Sequence, residues 1–405
     1  MTEKNYKQDF PLLQEQSIAY LDNAATTQRP SVVLEAEQQF YTQYNANPLR
    51  GFYDLGIQAT QCYADSRDCV RDFIHAASSE EIIFTKNATE ALNLVAYSYG
   101  LTHLKPGDEL VVSIMEHHSN LLPWQMVAHQ TGATLRYLEC EPDGTISDAC
   151  MQAAFSNRTK MVCITHVSNV LGRVNPIDQI VERAKKTHAV VVLDGAQSVP
   201  HMPVDVQKLG VDFMAFSAHK IYGPMGVGVL YGRRELLEDM PPFLTGGEMI
   251  QSVTREGAIY AELPHKFEAG TVNAAGTYGL QAAIQYVQSI GFSYIEAQEQ
   301  RLTARAMEGL LRIPHVHVQG SANPEEHCGI VSFTIDGVHP HDVSSILDAD
   351  GIAVRSGHHC AQPLLTFLGV QATTRASIAF YNTEDDIDRF LDSVQSVRGR
   401  MGYGE

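Results

Sequence analysis

The sequence predicts an α/β protein: a doubly wound, mostly parallel sheet of seven strands, followed by a smaller α+β unit. Three observations carry this. Short apolar runs alternate with helical spacing from Glu81 to Tyr231. Two of the runs, Val190 to Leu193 and Phe213 to Phe216, are apolar without a break, as strands covered on both faces are. Beyond Thr277 the order changes to two long helical patterns and then strands mixed with helices.

Taken in order, Ile18 to Leu21 is a short apolar stretch entering Asp22-Asn-Ala-Ala-Thr-Thr27, a polar turn whose small residues let another group approach closely. Ser31 to Tyr44 and Gln58 to Ile74 carry helical spacing. Strands are expected at Glu81–Thr85, Leu110–Ile114, Thr134–Leu138, Met161–Thr165, Val190–Leu193, Phe213–Phe216 and Gly226–Tyr231. Leu92, Val95, Ala96 and Tyr99 lie on one face of a helix starting near Thr89, directly after a strand. Phe243 to Gly270, rich in Gly and charge, reads as irregular chain over a site or an interface. Helices at Tyr278–Ser289 and Tyr294–Leu311 follow, then strand Ile330–Ile335, helix His341–Asp350, strands Ile352–Val354 and Arg375–Phe380, and helix Glu384–Val397. Repeats and low-complexity linkers are absent.

At 405 residues the chain exceeds what one core usually supports, so at least two domains are expected. A formal net charge of −18 disfavours nucleic acid or an anionic membrane as a main partner. Met1 to Ser17 is polar and no run could span a bilayer, so the expectation is a soluble, cytoplasmic protein. The seven cysteines contain no Cys-x-x-Cys pair and should be reduced thiols, with Cys62, Cys69 and Cys163 assigned to packing.

Ligands bind doubly wound sheets beyond the carboxyl ends of the strands, where Asp194 and Lys220 would share a crevice. An acid and an amine there suit pyridoxal phosphate: the lysine forms the Schiff base, and the acid keeps the ring nitrogen protonated so that the ring is an electron sink. Asp194 also reads as a helix cap, and Lys220 as a surface lysine. Free N–H groups at Ala88 and Thr89, opening a helix, would receive a phosphate, or Thr89 is merely a cap. His117, after its strand, lies on the same strand-end face and would stack on a ring or move a proton. Cys360, in Arg355-Ser-Gly-His-His-Cys-Ala-Gln-Pro, stands on an exposed loop where Arg355, His358 and His359 would favour its thiolate. A loop cysteine among histidines is otherwise a metal ligand or incidental.

Asp194-Gly-Ala-Gln197, Ser217-Ala-His-Lys220, Glu116-His-His-Ser-Asn120, Phe267-Glu-Ala-Gly-Thr271 and Arg355-Ser-Gly-His-His-Cys360, with this spacing, resemble the SUF-type (SufS/CsdA-like) cysteine desulfurases. These belong to the class V aminotransferase family of pyridoxal phosphate enzymes, and the resemblance runs from about Ile18 to Phe390. It implies the fold type I architecture of such transferases, with an arm over 1–17 packing with the small domain. A large cofactor-binding domain would span 18–275 and a small α+β domain carrying the cysteine loop 276–405. It implies that Lys220 carries the cofactor, Asp194 pairs with the pyridinium nitrogen, Gln197 faces the phenolic oxygen and His117 stacks on the ring. Ala88, Thr89, Ser217 and His219 would hold the phosphate, with Thr271 doing so from the second subunit of a homodimer. Asn169 and Arg375, with Arg355 nearby, would receive the substrate carboxylate.

The implied reaction converts L-cysteine to L-alanine. The freed Lys220 amine removes the Cα proton, and the Cys360 thiolate attacks the substrate sulfur to leave a persulfide for iron-sulfur cluster assembly. The resemblance implies a sulfur acceptor too. His341 matches a position that in some members meets the zinc of a SufU-like partner, with a SufE-like acceptor as the alternative. Selenocysteine lyase activity on the same scaffold is the alternative function. A metal-binding interaction protein using His339, His341, His358, His359 and Cys360 is a reading from another class. One departure stands out: Leu49-Arg50-Gly51-Phe52-Tyr53 lacks the two histidines that family members commonly carry around this Arg-Gly.

Overall fold

A computed structural model describes residues 5–403. Seven strands form the large sheet: β1 (Ile82–Thr85), β2 (Glu109–Ser113), β3 (Thr134–Leu138), β4 (Thr159–Thr165), β5 (Val190–Asp194), β6 (Phe213–Ser217) and β7 (Gly228–Gly232). Their order is β1-β7-β6-β5-β4-β2-β3, and only β7 runs antiparallel to its neighbours. The apolar runs have a direct cause. Val111, Val162, Ile164 and Leu193 enter one core, Leu110, Val112, Cys163 and Val192 the other, and all are buried. Helices cover each face with apolar stripes, such as Ile177, Ile180, Val181 and Ala184 of helix Ile177–Lys186.

The second sheet contains β8 (Val316–Val318), β9 (Ile330–Ile335), β10 (Arg355–Gly357) and β11 (Thr373–Ser377), in the antiparallel order β8-β9-β11-β10. Helices Phe292–Arg312, Pro340–Ala349 and Glu384–Arg400 close its core around Phe333, Leu302, Leu347 and Phe390.

The structure corrects three expectations. The strand expected at Ile352–Val354 is Ile352–Ala353, and it pairs with Ala19–Tyr20 in parallel rather than joining the small sheet. Arg355–Gly357, expected as loop, is the edge strand β10, because its backbone continues the ladder of β11 although its residues carry no strand signal. Within Phe243 to Gly270 a hairpin forms from Ile250–Val253 and Ala258–Tyr260; it is largely exposed, so it has no alternating buried face to betray it.

Met1 to Lys4 of the expected arm lie outside the described residues. The rest is ordered by two anchors: Phe10 is buried against Tyr381, and Lys7 meets the buried Asp386 at 2.7 Å. No helix among the described residues is long and apolar enough to cross a membrane. Cys163 is buried as expected, whereas Cys62 and Cys69 are half-buried at the edge of their clusters.

Candidate active site

The carboxyl ends of β2, β4, β5 and β6 converge with the turn Ala24-Ala25, the helix start at Ala88 and the segment around Cys360 on a cavity of about 220 Å³. Ala88, Thr89, His117, Asn169, Asp194, Gln197, Ser217, His219, Lys220, Arg355, Cys360 and Arg375 all line it. Two expected site residues do not. Thr271 is exposed in a separate cleft with Phe84, Lys86, Glu90 and Gly226. His341 is exposed in the first turn of helix Pro340–Ala349, where its N–H donates to His339 Nδ1.

Asp194 ends β5 between Thr165 and Ala215. It is buried, and its Oδ1 accepts from the Ala196 N–H at 3.0 Å. Burial holds its carboxyl above the usual range, with the Lys220 ammonium and that hydrogen bond acting in the other direction. Lys220 follows β6; burial brings its amine down to about 8, opposed by Asp194, while Arg375 and Arg355 push it further down. At pH 7 about a tenth of such an amine is neutral and nucleophilic, far more than for an ordinary lysine at 10.5.

His117 is also held far from charge: burial, then Lys220, His118 and Arg375, lower it to about 3. Its Nδ1 accepts the Ser119 N–H at 3.1 Å, so the neutral ring carries its proton on Nε2. Ser119 Oγ lies 3.0 Å from the same nitrogen and 2.7 Å from Thr89 Oγ1, tying the ring to the helix start. Beneath it Glu116 is fully buried; one oxygen accepts from Ser113 Oγ and the Thr165 N–H, the other from Asn120 Nδ2, and desolvation raises its carboxyl to about 8.

Helix Ala88–Val95 is capped by Asn87, whose Oδ1 accepts from the Glu90 N–H. The Ala88 N–H, expected to be free, donates to Ser217 Oγ at 2.8 Å because the end of β6 passes alongside. Gly228 makes this possible: a Cβ there would lie 2.4 Å from the Asn87 backbone. Gln197 donates to the Ala24 carbonyl at 2.8 Å, which joins the end of β5 to the turn. His219 is kept neutral by burial, at about 4.

Cys360 is exposed, and its backbone is strapped down on both sides. The His118 N–H donates to the Cys360 carbonyl at 2.6 Å, and Asn169 Nδ2 to the His359 carbonyl at 2.7 Å. His359 and Cys360 have φ of 50° and 56°, in the left-handed region that non-glycine residues rarely adopt. One expectation fails here: His359 does not supply positive charge to Cys360. It is buried with Nε2 on Thr373 Oγ1 at 2.8 Å, and desolvation lowers its ring to about 3. The same burial removes it from the five-residue metal site considered above, and among the described residues no cluster of three or more His, Cys, Asp or Glu has metal-holding geometry.

Arg375, on β11, donates from Nη1 to the Asn169 carbonyl at 2.9 Å, and its buried Nε has no partner among the described residues. Sequence reasoning missed Asp22, which pairs with both Arg375 and Arg355. It also gave no role to Glu116 or Ser119. All three lie inside stretches already singled out, but only the fold places their side chains behind other site residues. Of the divergent segment, Leu49 to Tyr53, no residue lines the cavity; Arg50 pairs with Glu248 at 2.7 Å.

The residue set fits pyridoxal phosphate. A buried acid and a lysine with a lowered pKa share one cavity with a neutral imidazole, and a helix start with hydroxyls at Thr89 and Ser217 offers a phosphate cradle. A fold and a site of this kind define a pyridoxal phosphate enzyme of the transferase type. The chain belongs to the class-V aminotransferase family, whose model matches residues 19–390. Across its whole length it is 49% identical to a probable cysteine desulfurase of Halalkalibacterium halodurans, covering 100% of both chains. The apo structure of a cysteine desulfurase from Thermococcus onnurineus NA1 superposes with a TM-score of 0.94 at 42% identity, covering 98% of this chain and 100% of the other. C-DES, at 25% identity and a TM-score of 0.83 over 96% of this chain and 98% of that one, has been solved as a lysine-to-alanine mutant with glycine covalently linked to its PLP cofactor.

Proposed function

We propose that the protein is a pyridoxal phosphate-dependent cysteine desulfurase. It takes sulfur from L-cysteine, leaves L-alanine, and carries the sulfur on Cys360 to an acceptor protein. The observation that carries this reading is that Lys220, Asp194 and Cys360 line one cavity. An ordinary transaminase has no use for the third.

When bound, pyridoxal phosphate supplies an electron sink for the pair released as a bond to Cα breaks. Lys220 would hold the cofactor, with Asp194 serving its ring nitrogen, Gln197 its phenolic oxygen, and neutral His117 its ring face. The Thr89 and Ser217 hydroxyls, His219 and the helix start at Ala88 would hold its phosphate. Arg375 and Asn169, with Arg355 beside them, orient the substrate carboxylate through paired donors. The Lys220 amine then takes the Cα proton, a role its lowered pKa suits. The Cys360 thiolate attacks the substrate sulfur: an S–S bond forms, the C–S bond breaks with its electron pair left on Cβ, and protonation of Cβ together with return of a proton from Lys220 to Cα gives alanine. A persulfide stays on Cys360, whose exposed side chain suits hand-over.

The active unit is a cytoplasmic homodimer in which Thr271 of the partner subunit completes the phosphate site. This is consistent with Thr271 lying outside its own cavity and with exposed apolar side chains at Phe52, Ile57, Val253 and Ile259. The SUF-type assignment makes the acceptor a zinc-containing SufU-like protein met by the exposed His341. The test is direct. Cofactor-loaded protein given L-cysteine should form alanine and bound persulfide one for one, and Cys360→Ser should form neither; persistent sulfide release from that variant would refute the reading. Stimulation by a SufE-like protein only, unchanged by His341→Ala, would refute the acceptor.

A further inference from the structure

Arg355 on β10 and Arg375 on β11 stand directly opposite each other in the antiparallel register. Like charges at directly opposed positions repel and destabilise a sheet. Both also disfavour the charged form of Lys220. The carboxylate that answers them comes from neither sheet. Asp22, in the turn after Ala19–Tyr20, places Oδ2 3.1 Å from Arg355 Nε and Oδ1 3.3 Å from Arg375 Nη2. Its backbone is fixed independently of that carboxylate, by a parallel bridge to Ser377.

The two arginines depend on Asp22 differently. Arg375 is buried and has a second anchor in the Asn169 carbonyl. The Arg355 side chain is about half exposed, at 49%, and Asp22 is its one side-chain partner among the described residues. Without that contact a long, rotamer-rich side chain would swing free of the cavity.

We propose that Asp22 is a positioning residue that sets specificity for the substrate carboxylate. It clamps the two guanidiniums into one fork and cancels one of their two charges, so a single carboxylate on the ligand neutralises what is left. The site thereby favours amino acids with one carboxylate over amines that have none and over acids that carry two. This rests on the reading above that the arginines receive the carboxylate of an amino acid.

The test uses binding rather than turnover. Protein loaded with pyridoxal phosphate is titrated with L-alanine and with ethylamine, which is alanine without its carboxylate, while the visible band of the cofactor is followed. Asp22→Ala should weaken L-alanine by about 10-fold or more and leave ethylamine within about 2-fold. Asp22→Asn keeps an acceptor oxygen but loses the charge. It should show a smaller loss for L-alanine and a shift of preference towards L-aspartate, and it serves in place of Asp22→Ala should that variant not fold. Equal weakening of both amines, or no weakening of either, would overturn the proposal. Because the readout needs no sulfur chemistry, a parent protein that discriminates the amines but releases no sulfur from cysteine would sink the desulfurase reading while leaving the role of Asp22 intact.

Discussion

The cavity has two walls of different character. One is the end of the large sheet, where Asp194, Glu116 and His117 are held by short hydrogen bonds from the backbone and from neighbouring side chains, and where burial moves each from its ordinary pKa. The other is the segment from Arg355 to Cys360, an edge strand running into two left-handed residues, with its thiol exposed. Fixed charges and proton positions need the first environment, since preorganised dipoles act strongly only where water is excluded. On the proposed reading, the thiol that hands sulfur on needs the second. The difference assigns the electronic work to the core and the transfer to the edge.

The largest expected effect follows from that division. Cys360→Ser should lower sulfide release by about 10³-fold or more while leaving both the melting temperature and the visible cofactor band of the loaded protein unchanged. Lys220→Ala should lose both the activity and the covalently held cofactor. Loss of the band in Cys360→Ser would mean that the two walls are one unit. Next in size, Glu116→Ala should cost about 2–4 kcal/mol in chemical denaturation, because Ser113, Asn120 and the Thr165 N–H are left without their acceptor inside the core. A loss comparable to that of an exposed substitution would contradict the picture of a rigid wall.

An effect of similar size is pH-linked. His359 is neutral in the folded chain at about 3 against 6.5 when unfolded. The folded state therefore binds fewer protons across that window, and its contribution to stability, complete above pH 6.5, is lost as pH falls towards 3. His359→Gln should flatten the acid side of the stability curve by about 3 kcal/mol between pH 7 and pH 4, read from denaturation midpoints. The smallest effect is kinetic. Loading of the cofactor-free protein should speed up with pH and level off above about 8, because the Lys220 amine is neutral there rather than at its ordinary 10.5; a rate still climbing tenfold per unit at pH 9 would place the lysine in water.

Much of the large sheet was legible. Residues facing two cores must be apolar at every position, and that pattern announced β5 and β6 together with the polar residues that end them. Lys220, Asp194, His117 and Cys360, which line one cavity, could be singled out because each follows a strand signal or sits in a charged cluster. The edge strand β10 was illegible, since Arg-Ser-Gly has no strand preference and its pairing is made by backbone alone. The neutrality of His359 was illegible too: two adjacent histidines look alike in sequence, and only packing exposes His358 and buries His359 against Thr373.

The amino-acid order by itself determined which chemistry the chain can do, because an amine, an acid and a thiol cannot be supplied by packing and strand periodicity already puts the first two at neighbouring strand ends. Only the tertiary structure decided how these groups are charged and aimed. That Asp22 serves two arginines more than three hundred positions away, and that an Ala88 N–H is taken up by Ser217, are consequences of long-range closure. Coulomb and desolvation energies depend on distance and burial, and neither is a property of position in the chain.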